Sequence, residues 1–144
     1  MRHQAGQQTL EIARQAYAAA GVQAEVTPFI DDMAEAYGWA DLVVCRAGAL
    51  TISELAAAGV GALLVPYPHA VDDHQTGNAR FLADAGAAKL VPQHDLTAAG
   101  LAEHLRGLLQ DPAALLAMAE AARARANPDA ARRIATACWE LAVR

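Results

Sequence analysis

What this sequence is short of narrows its class before any motif is read. It has two cysteines in 144 residues, Cys45 and Cys138, and no Cys-x-x-Cys pair. That is too few for the disulfide framework of a small secreted domain, so both are expected to be reduced thiols in a cytosolic protein. Aromatic residues make up 5% of the chain, so the core has to come from Leu, Val, Ile and packed Ala. No apolar run approaches the roughly 20 residues a membrane span needs. The stretch over residues 55–68 is interrupted by Gly59, Gly61, Pro66 and Pro68. The start, Met1-Arg2-His3-Gln4, lacks an apolar segment, so a secretory signal peptide is not expected there. Basic blocks are missing too. Arg132-Arg133 is a doublet and the formal net charge is −5, which argues against a nucleic-acid partner. Finally, no Gly-x-Gly-x-x-Gly opens a strand–helix unit, which weakens any reading as a nicotinamide-dependent dehydrogenase.

What is present is apolar, alanine-rich and of one-domain length: 55% of residues are hydrophobic. Short β-rich runs alternate with helical stretches, the pattern of a Rossmann-like α/β domain with a parallel sheet and flanking helices. Helix is predicted over about residues 6–20 with Gly21 as its stop, then strand over 24–29. A short helix follows, opened by Asp31-Asp32 and carrying Met33, Ala36, Tyr37 and Ala40 on one side. Residues 41–45 read as the clearest buried strand. Helix 50–58 stops at Gly59, strand 62–67 ends in prolines, helix 73–85 stops at Gly86, and residues 87–91 form a last short strand. In the final third, Thr97 opens a helix whose Leu101, Leu105, Leu108 and Leu109 form one apolar stripe. Asp111-Pro112 and Asn127-Pro128 each place a capping residue before a proline at a helix start. The last helix puts Ile134, Cys138 and Leu141 on one face.

In open α/β sheets, ligands bind beyond the carboxyl ends of the strands. Arg46 to Glu54 follows the strand over 41–45. Gly48 permits a tight turn or a close backbone approach. The helix N-terminus at Ala49, Leu50 and Thr51 offers unpaired N–H groups to a phosphate, and Glu54 offers a carboxylate to neighbouring ribose hydroxyls. A second reading stands beside this one: Thr51-x-x-Glu54 is a capping box that satisfies the helix's own N–H groups. The loop after strand 62–67 gathers His69, Asp72, Asp73, His74, Gln75 and Asn78. Its amides suit sugar hydroxyls, while a polar turn leading into a helix explains the same residues. His69, Asp73 and His74 match no metal motif. Near residue 30, Ile30 presents backbone amide groups that suit the edge of a base, with Met33 close by; a hydrophobic helix start is the plainer alternative.

Taken together, HQAG at 3–6, TPFIDDMAEAYGWADLVVCRAGALTISELAAAG at 27–59, LLVPYPHAVDDHQTGNA at 63–79 and AGAAKLV at 85–91 resemble the MurG family of UDP-N-acetylglucosamine:lipid I transferases. The resemblance implies the C-terminal, donor-binding half of a GT-B glycosyltransferase of family 28. It implies that Ile30, with Met33, meets the uracil and that Glu54 takes the ribose hydroxyls. Ala49, Leu50 and Thr51 would lie by the diphosphate and sugar, and His74, Gln75 and Asn78 would contact the N-acetylglucosamine. Arg46 and Gly48 join the substrate-binding set, although Arg46 at a strand end reads equally as a solvated charge. It implies no cofactor or metal, no catalytic residue on this chain, and lipid I as acceptor through a domain outside it. The full-length form would be cytoplasmic and peripheral on the inner face of the membrane. By the same comparison the chain is expected to start after the family's first strand and Gly-rich loop, with self-association through exposed edges. Gly61 stands where the family commonly has proline, and Gly77 where it has a bulkier residue. Two rival readings are a donor subunit of a two-chain lipid-linked transferase and a non-catalytic docking module.

Overall fold

A computed structural model describes residues 1–143, the side chain of Val71 excepted. They form a mixed α/β fold of parallel strands and flanking helices, divided into two compact units, Met1–Ala36 and Tyr37–Arg144.

In the first unit, β1 (Arg2–Gln4) pairs in parallel with β2 (Glu25–Thr27), and α1 (Leu10–Ala19) connects them. The helix predicted from residue 6 therefore starts later, and residues 2–4 are strand. The reason is long-range pairing: the N–H groups of Ala5 and Gly6 donate to the carbonyls of Thr27 and Pro28, which extends the ladder. Gly6 then turns with φ of 76°, a left-handed conformation that glycine adopts without steric penalty. The first unit ends within α2 (Met33–Trp39), where Asp32 accepts the Glu35 N–H at 2.8 Å as a helix cap.

In the second unit, β3 (Leu42–Cys45), β4 (Gly61–Leu64) and β5 (Ala88–Leu90) form a parallel sheet in the order β3-β4-β5. The crossovers are α3 (Ala49–Ala58) and α4 (His74–Ala83). The expectation that residues 41–45 are the most buried strand is corrected. β4 is buried at all four positions, whereas Val44 of β3 is 44% exposed. β4 has a hydrogen-bonded neighbour on both sides and β3 on one. α3, α5 (Ala98–Leu109) and β4 pack on α6 (Pro112–Ala124). Leu55, Leu63, Leu64 and Leu82 are wholly buried, each contributing about 2–3 kcal/mol relative to exposure. Leu101 packs on Leu63, Val65 and Val91, while Leu109 of the expected stripe is exposed.

The punctuation is partly as expected. Gly21, Gly59 and Gly86 all have positive φ behind their helices. Thr97 accepts from Gly100 N–H, and Asp111 from Ala114 N–H with Pro112 opening α6. Asn127-Pro128 does not cap: α7 (Ala130–Ala142) starts two residues later behind Asp129. Ile134 and Leu141 share a face as read, yet α7 buries no residue.

Gly61 sits against α6. A Cβ there would lie 3.0 Å from the Met118 Cβ, which only a helix shift can relieve. Gly61→Ala is therefore expected to lower stability by about 1–3 kcal/mol through overpacking, read by chemical denaturation. An unchanged midpoint would show that α6 moves away at no cost.

Candidate functional site

The loops at the carboxyl ends of β3 and β4 carry most of the candidate residues, so the geometry starts there. α3 begins at Ala49, with Gly48 as its N-cap residue and no side-chain hydrogen bond at the cap. This overturns the capping-box reading of Thr51 and Glu54. Thr51 lies inside the first turn, and Glu54 reaches a different partner. The first intrahelical donor is the Ile52 N–H, which bonds the Gly48 carbonyl at 3.0 Å. The N–H groups of Ala49, Leu50 and Thr51 are thus the unsatisfied donors of a helix start, at its positive end. Ala49 and Leu50 are exposed and Thr51 is half-buried. Gly48 has φ −64° and ψ 147°, and a Cβ on it would come no nearer than 3.5 Å to Thr51 Oγ1. Neither the backbone nor its neighbours demand glycine; the room it leaves is room beside the helix start.

Glu54 is exposed and accepts a hydrogen bond from the buried Tyr37 hydroxyl on Oε2 at 3.1 Å. One carboxylate oxygen is thus anchored by the phenol. Burial, with the Glu54 carboxylate alongside, pushes the Tyr37 phenol well above its ordinary value, so it stays a donor. Sequence reasoning placed Tyr37 on the apolar side of α2 and missed this role. Phenol and carboxylate are far apart in the chain, and no local pattern links them.

Arg46 is tied to the loop after β4. Its Nη1 donates to the carbonyls of Val65 and Pro66 at 3.2 and 3.1 Å, and its guanidinium lies over the Tyr67 ring, 5.6 Å from the centroid. Gln75 and Asn78, one turn apart on α4, both reach Ala47: Gln75 Oε1 accepts its N–H, and Asn78 Nδ2 donates to its carbonyl. His74 opens α4 and is exposed. Ahead of it, Asp72 and Asp73 hold φ of 53° and 50°, left-handed conformations that aspartate tolerates better than most residues. The Thr76 hydroxyl donates to Asp73 Oδ1 at 2.7 Å. Among the described residues no three His, Cys, Asp or Glu side chains converge as a metal site, and that includes His69, Asp73 and His74.

In the first unit, the Ile30 N–H donates to Gln4 Oε1 at 2.9 Å. A base taking that N–H has to displace the Gln4 carboxamide, a partner that sequence reasoning did not identify although Gln4 lies in the quoted HQAG. Met33 is half-buried at the start of α2. Ile30 and Phe29 border an open cavity of about 210 Å³, whose polar wall includes Arg2 and Glu35. Arg2 is tied to Glu25 at 3.2 Å and to Glu35 at 2.6 Å.

The two thiols are separated by burial. Cys45 is pushed from 9.0 up to about 11 by desolvation, whereas Cys138 is exposed on α7. A thiol-specific reagent at pH 8 is therefore expected to label Cys138 quickly and Cys45 slowly in the folded chain. With its thiol raised, Cys45 favours the folded state below pH 9, and that advantage is lost as pH rises through about 11. Equal labelling rates for the two cysteines, read by mass spectrometry, would contradict this.

Residues 1–134 match the family model described as the glycosyltransferase family 28 C-terminal domain. A relative from Marinobacter nauticus is 61% identical over 142 residues, covering 99% of this chain and 39% of its own length. It is named UDP-N-acetylglucosamine–N-acetylmuramyl-(pentapeptide) pyrophosphoryl-undecaprenol N-acetylglucosamine transferase. A relative from Azoarcus with the same name is 61% identical over 140 residues, 97% of this chain and 39% of its own. Among solved structures, Acinetobacter baumannii MurG superposes with a TM-score of 0.85 at 49% identity, over 92% of this chain and 40% of that one. The chain thus spans about two-fifths of the length of the relatives it matches. It belongs to the glycosyltransferase family 28 C-terminal domain family.

Proposed function

We propose that residues 1–144 form the donor-binding domain of an inverting hexosyltransferase. The enzyme would move N-acetylglucosamine from its UDP donor to undecaprenyl-diphospho-muramoyl-pentapeptide in peptidoglycan synthesis. The observation that carries this reading is the helix start at Ala49, Leu50 and Thr51, which lacks a side-chain cap. It stands one turn from a carboxylate already anchored by Tyr37.

An acceptor hydroxyl oxygen attacks the anomeric carbon, the bond from that carbon to the diphosphate oxygen breaks, and UDP leaves with the electron pair. The negative charge that grows on the diphosphate is met by the N–H groups and the positive end of α3. Gly48 leaves space for that approach, and Arg46 holds the loop after β4. The second Glu54 oxygen accepts from the ribose hydroxyls. His74, Gln75 and Asn78 face the sugar, and Ile30 and Met33 meet the uracil. The proton of the acceptor hydroxyl passes to a base on a domain that binds lipid I, outside these residues. The same reading makes the enzyme peripheral on the inner face of the membrane; no helix among the described residues is long and apolar enough to cross one.

Calorimetric titration of UDP-N-acetylglucosamine tests this directly. Glu54→Ala is expected to weaken binding by about tenfold or more, since hydrogen bonds to a charged group are worth about 1.5–3 kcal/mol. Tyr37→Phe, which frees the anchored oxygen, is expected to weaken it less. A folded wild-type chain that takes up no heat with the donor would sink the proposal in favour of a docking module.

The reading of self-association is supported by α7, where Ile134, Trp139 and Leu141 are each at least 65% exposed, as is Val143 just after it. Sedimentation velocity is expected to show association that rises with concentration. A monomer at every concentration would remove it.

A further inference from the structure

The turn between β3 and α3 is gripped from α4. Ala47 has no exposed surface, and both of its backbone polar groups are taken by side chains. Its N–H donates to Gln75 Oε1 at 3.2 Å, and its carbonyl accepts from Asn78 Nδ2 at 3.0 Å. The same Gln75 oxygen accepts the Tyr67 N–H, from the loop after β4, at 3.0 Å. Arg46 closes the connection from the other side by donating to the Val65 and Pro66 carbonyls. Two loops that leave neighbouring strands are therefore cross-linked through one glutamine oxygen and one arginine.

Neither amide can turn over. A flipped Gln75 would aim its NH2 group at two N–H donors, and a flipped Asn78 would aim its oxygen at a carbonyl. The backbone thus dictates which atom of each amide is spent. Gln75 Nε2 and Asn78 Oδ1 have no hydrogen-bond partner among the described residues. No buried side-chain polar atom there is unpaired, so both remaining atoms reach solvent.

Gly48 follows Ala47 in a conformation open to any residue, and α3 has no side chain capping its start. Within the turn itself Arg46 ties to the loop after β4, while the Ala47 peptide is held by the α4 amides. We propose that Gln75 and Asn78 are positioning residues for the anion seat. They hold the Ala47 peptide so that the N–H groups at the start of α3 meet the diphosphate in a fixed orientation, and part of their effect on donor affinity runs through that turn. This rests on the donor-binding reading above, and adds that two residues assigned to the sugar also govern the diphosphate. Holding the seat before the ligand arrives removes the ordering cost that binding would otherwise bear.

UDP separates the two roles, because it carries the diphosphate without the sugar, and uridine supplies the base and ribose alone. UDP, uridine and UDP-N-acetylglucosamine are each titrated into the wild-type chain, Gln75→Leu and Asn78→Ala, with cooperative unfolding checked first. UDP is expected to bind about five- to tenfold more weakly to both variants, the loss of about one hydrogen bond's worth. Uridine is expected to be unaffected. A general loosening of the fold would weaken both ligands together and overturn the proposal. So would unchanged UDP affinity with a loss confined to UDP-N-acetylglucosamine, which would leave a sugar contact alone.

Amide hydrogen exchange at Ala47 and Tyr67 provides the second readout. It is expected to accelerate in Gln75→Leu and to stay slow in Gln75→Glu, which keeps an oxygen facing both donors. Should Gln75→Leu fail to unfold cooperatively, the exchange in Gln75→Glu decides: slow at both amides supports the clamp, fast overturns it. A wild-type chain that binds UDP no better than uridine would defeat the donor reading itself. The exchange measurements would then still decide whether the clamp exists, and unchanged exchange in Gln75→Leu would overturn it.

Discussion

Burial of β4 is the constraint from which the second unit is built. All four of its residues are shielded, its backbone is consumed by ladders to β3 and β5, and Gly61 lets α6 approach closely, a Cβ there lying 3.0 Å from the Met118 Cβ. The chain leaving such a strand must find new partners for its polar groups. Val65 N–H reaches the Cys45 carbonyl, while Arg46 takes the carbonyls of Val65 and Pro66. The loops at the carboxyl end of the sheet thus take their positions from the core below them.

The candidate site follows a consistent division of polar atoms. One oxygen of Glu54 is held by Tyr37, one oxygen of Gln75 by two backbone donors, and the Asn78 NH2 group by Ala47. Each of these groups is engaged through one atom, beside a helix start that no side chain caps. Under the proposed donor reading this is preorganisation in a specific sense: each candidate side chain is fixed through one atom and leaves another to the ligand. In the first unit, the Ile30 N–H is already occupied by the Gln4 carboxamide.

Much of the fold was legible along the chain because local rules govern it. Helix stops at Gly21, Gly59 and Gly86 follow from the left-handed conformation glycine allows, and the caps at Thr97 and Asp111 from side chains that reach N–H groups three residues on. The misreadings share a cause. Residues 2–4 became strand because Thr27 and Pro28 supply acceptors more than twenty residues away. Thr51-x-x-Glu54 has the spacing of a capping box, but α3 starts at Ala49 and Tyr37 claims the carboxylate. Asn127-Pro128 has the composition of a cap, and the helix begins beyond it.

For the site, the sequence by itself determined which residue types stand at the strand ends: a glycine before a helix start, a carboxylate one turn in, and paired amides on the next helix. Those are matters of order and spacing; the family is carried by the longer resembling segments and shown by the family model over residues 1–134. Tertiary structure alone decided what each polar atom is spent on. Arg46 went to carbonyls, Gln75 and Asn78 to the Ala47 peptide, and Tyr37 to Glu54. The reason is geometric. A hydrogen bond needs its partners within about 3 Å, and partners 17 to 31 residues apart meet only when the sheet brings their loops together.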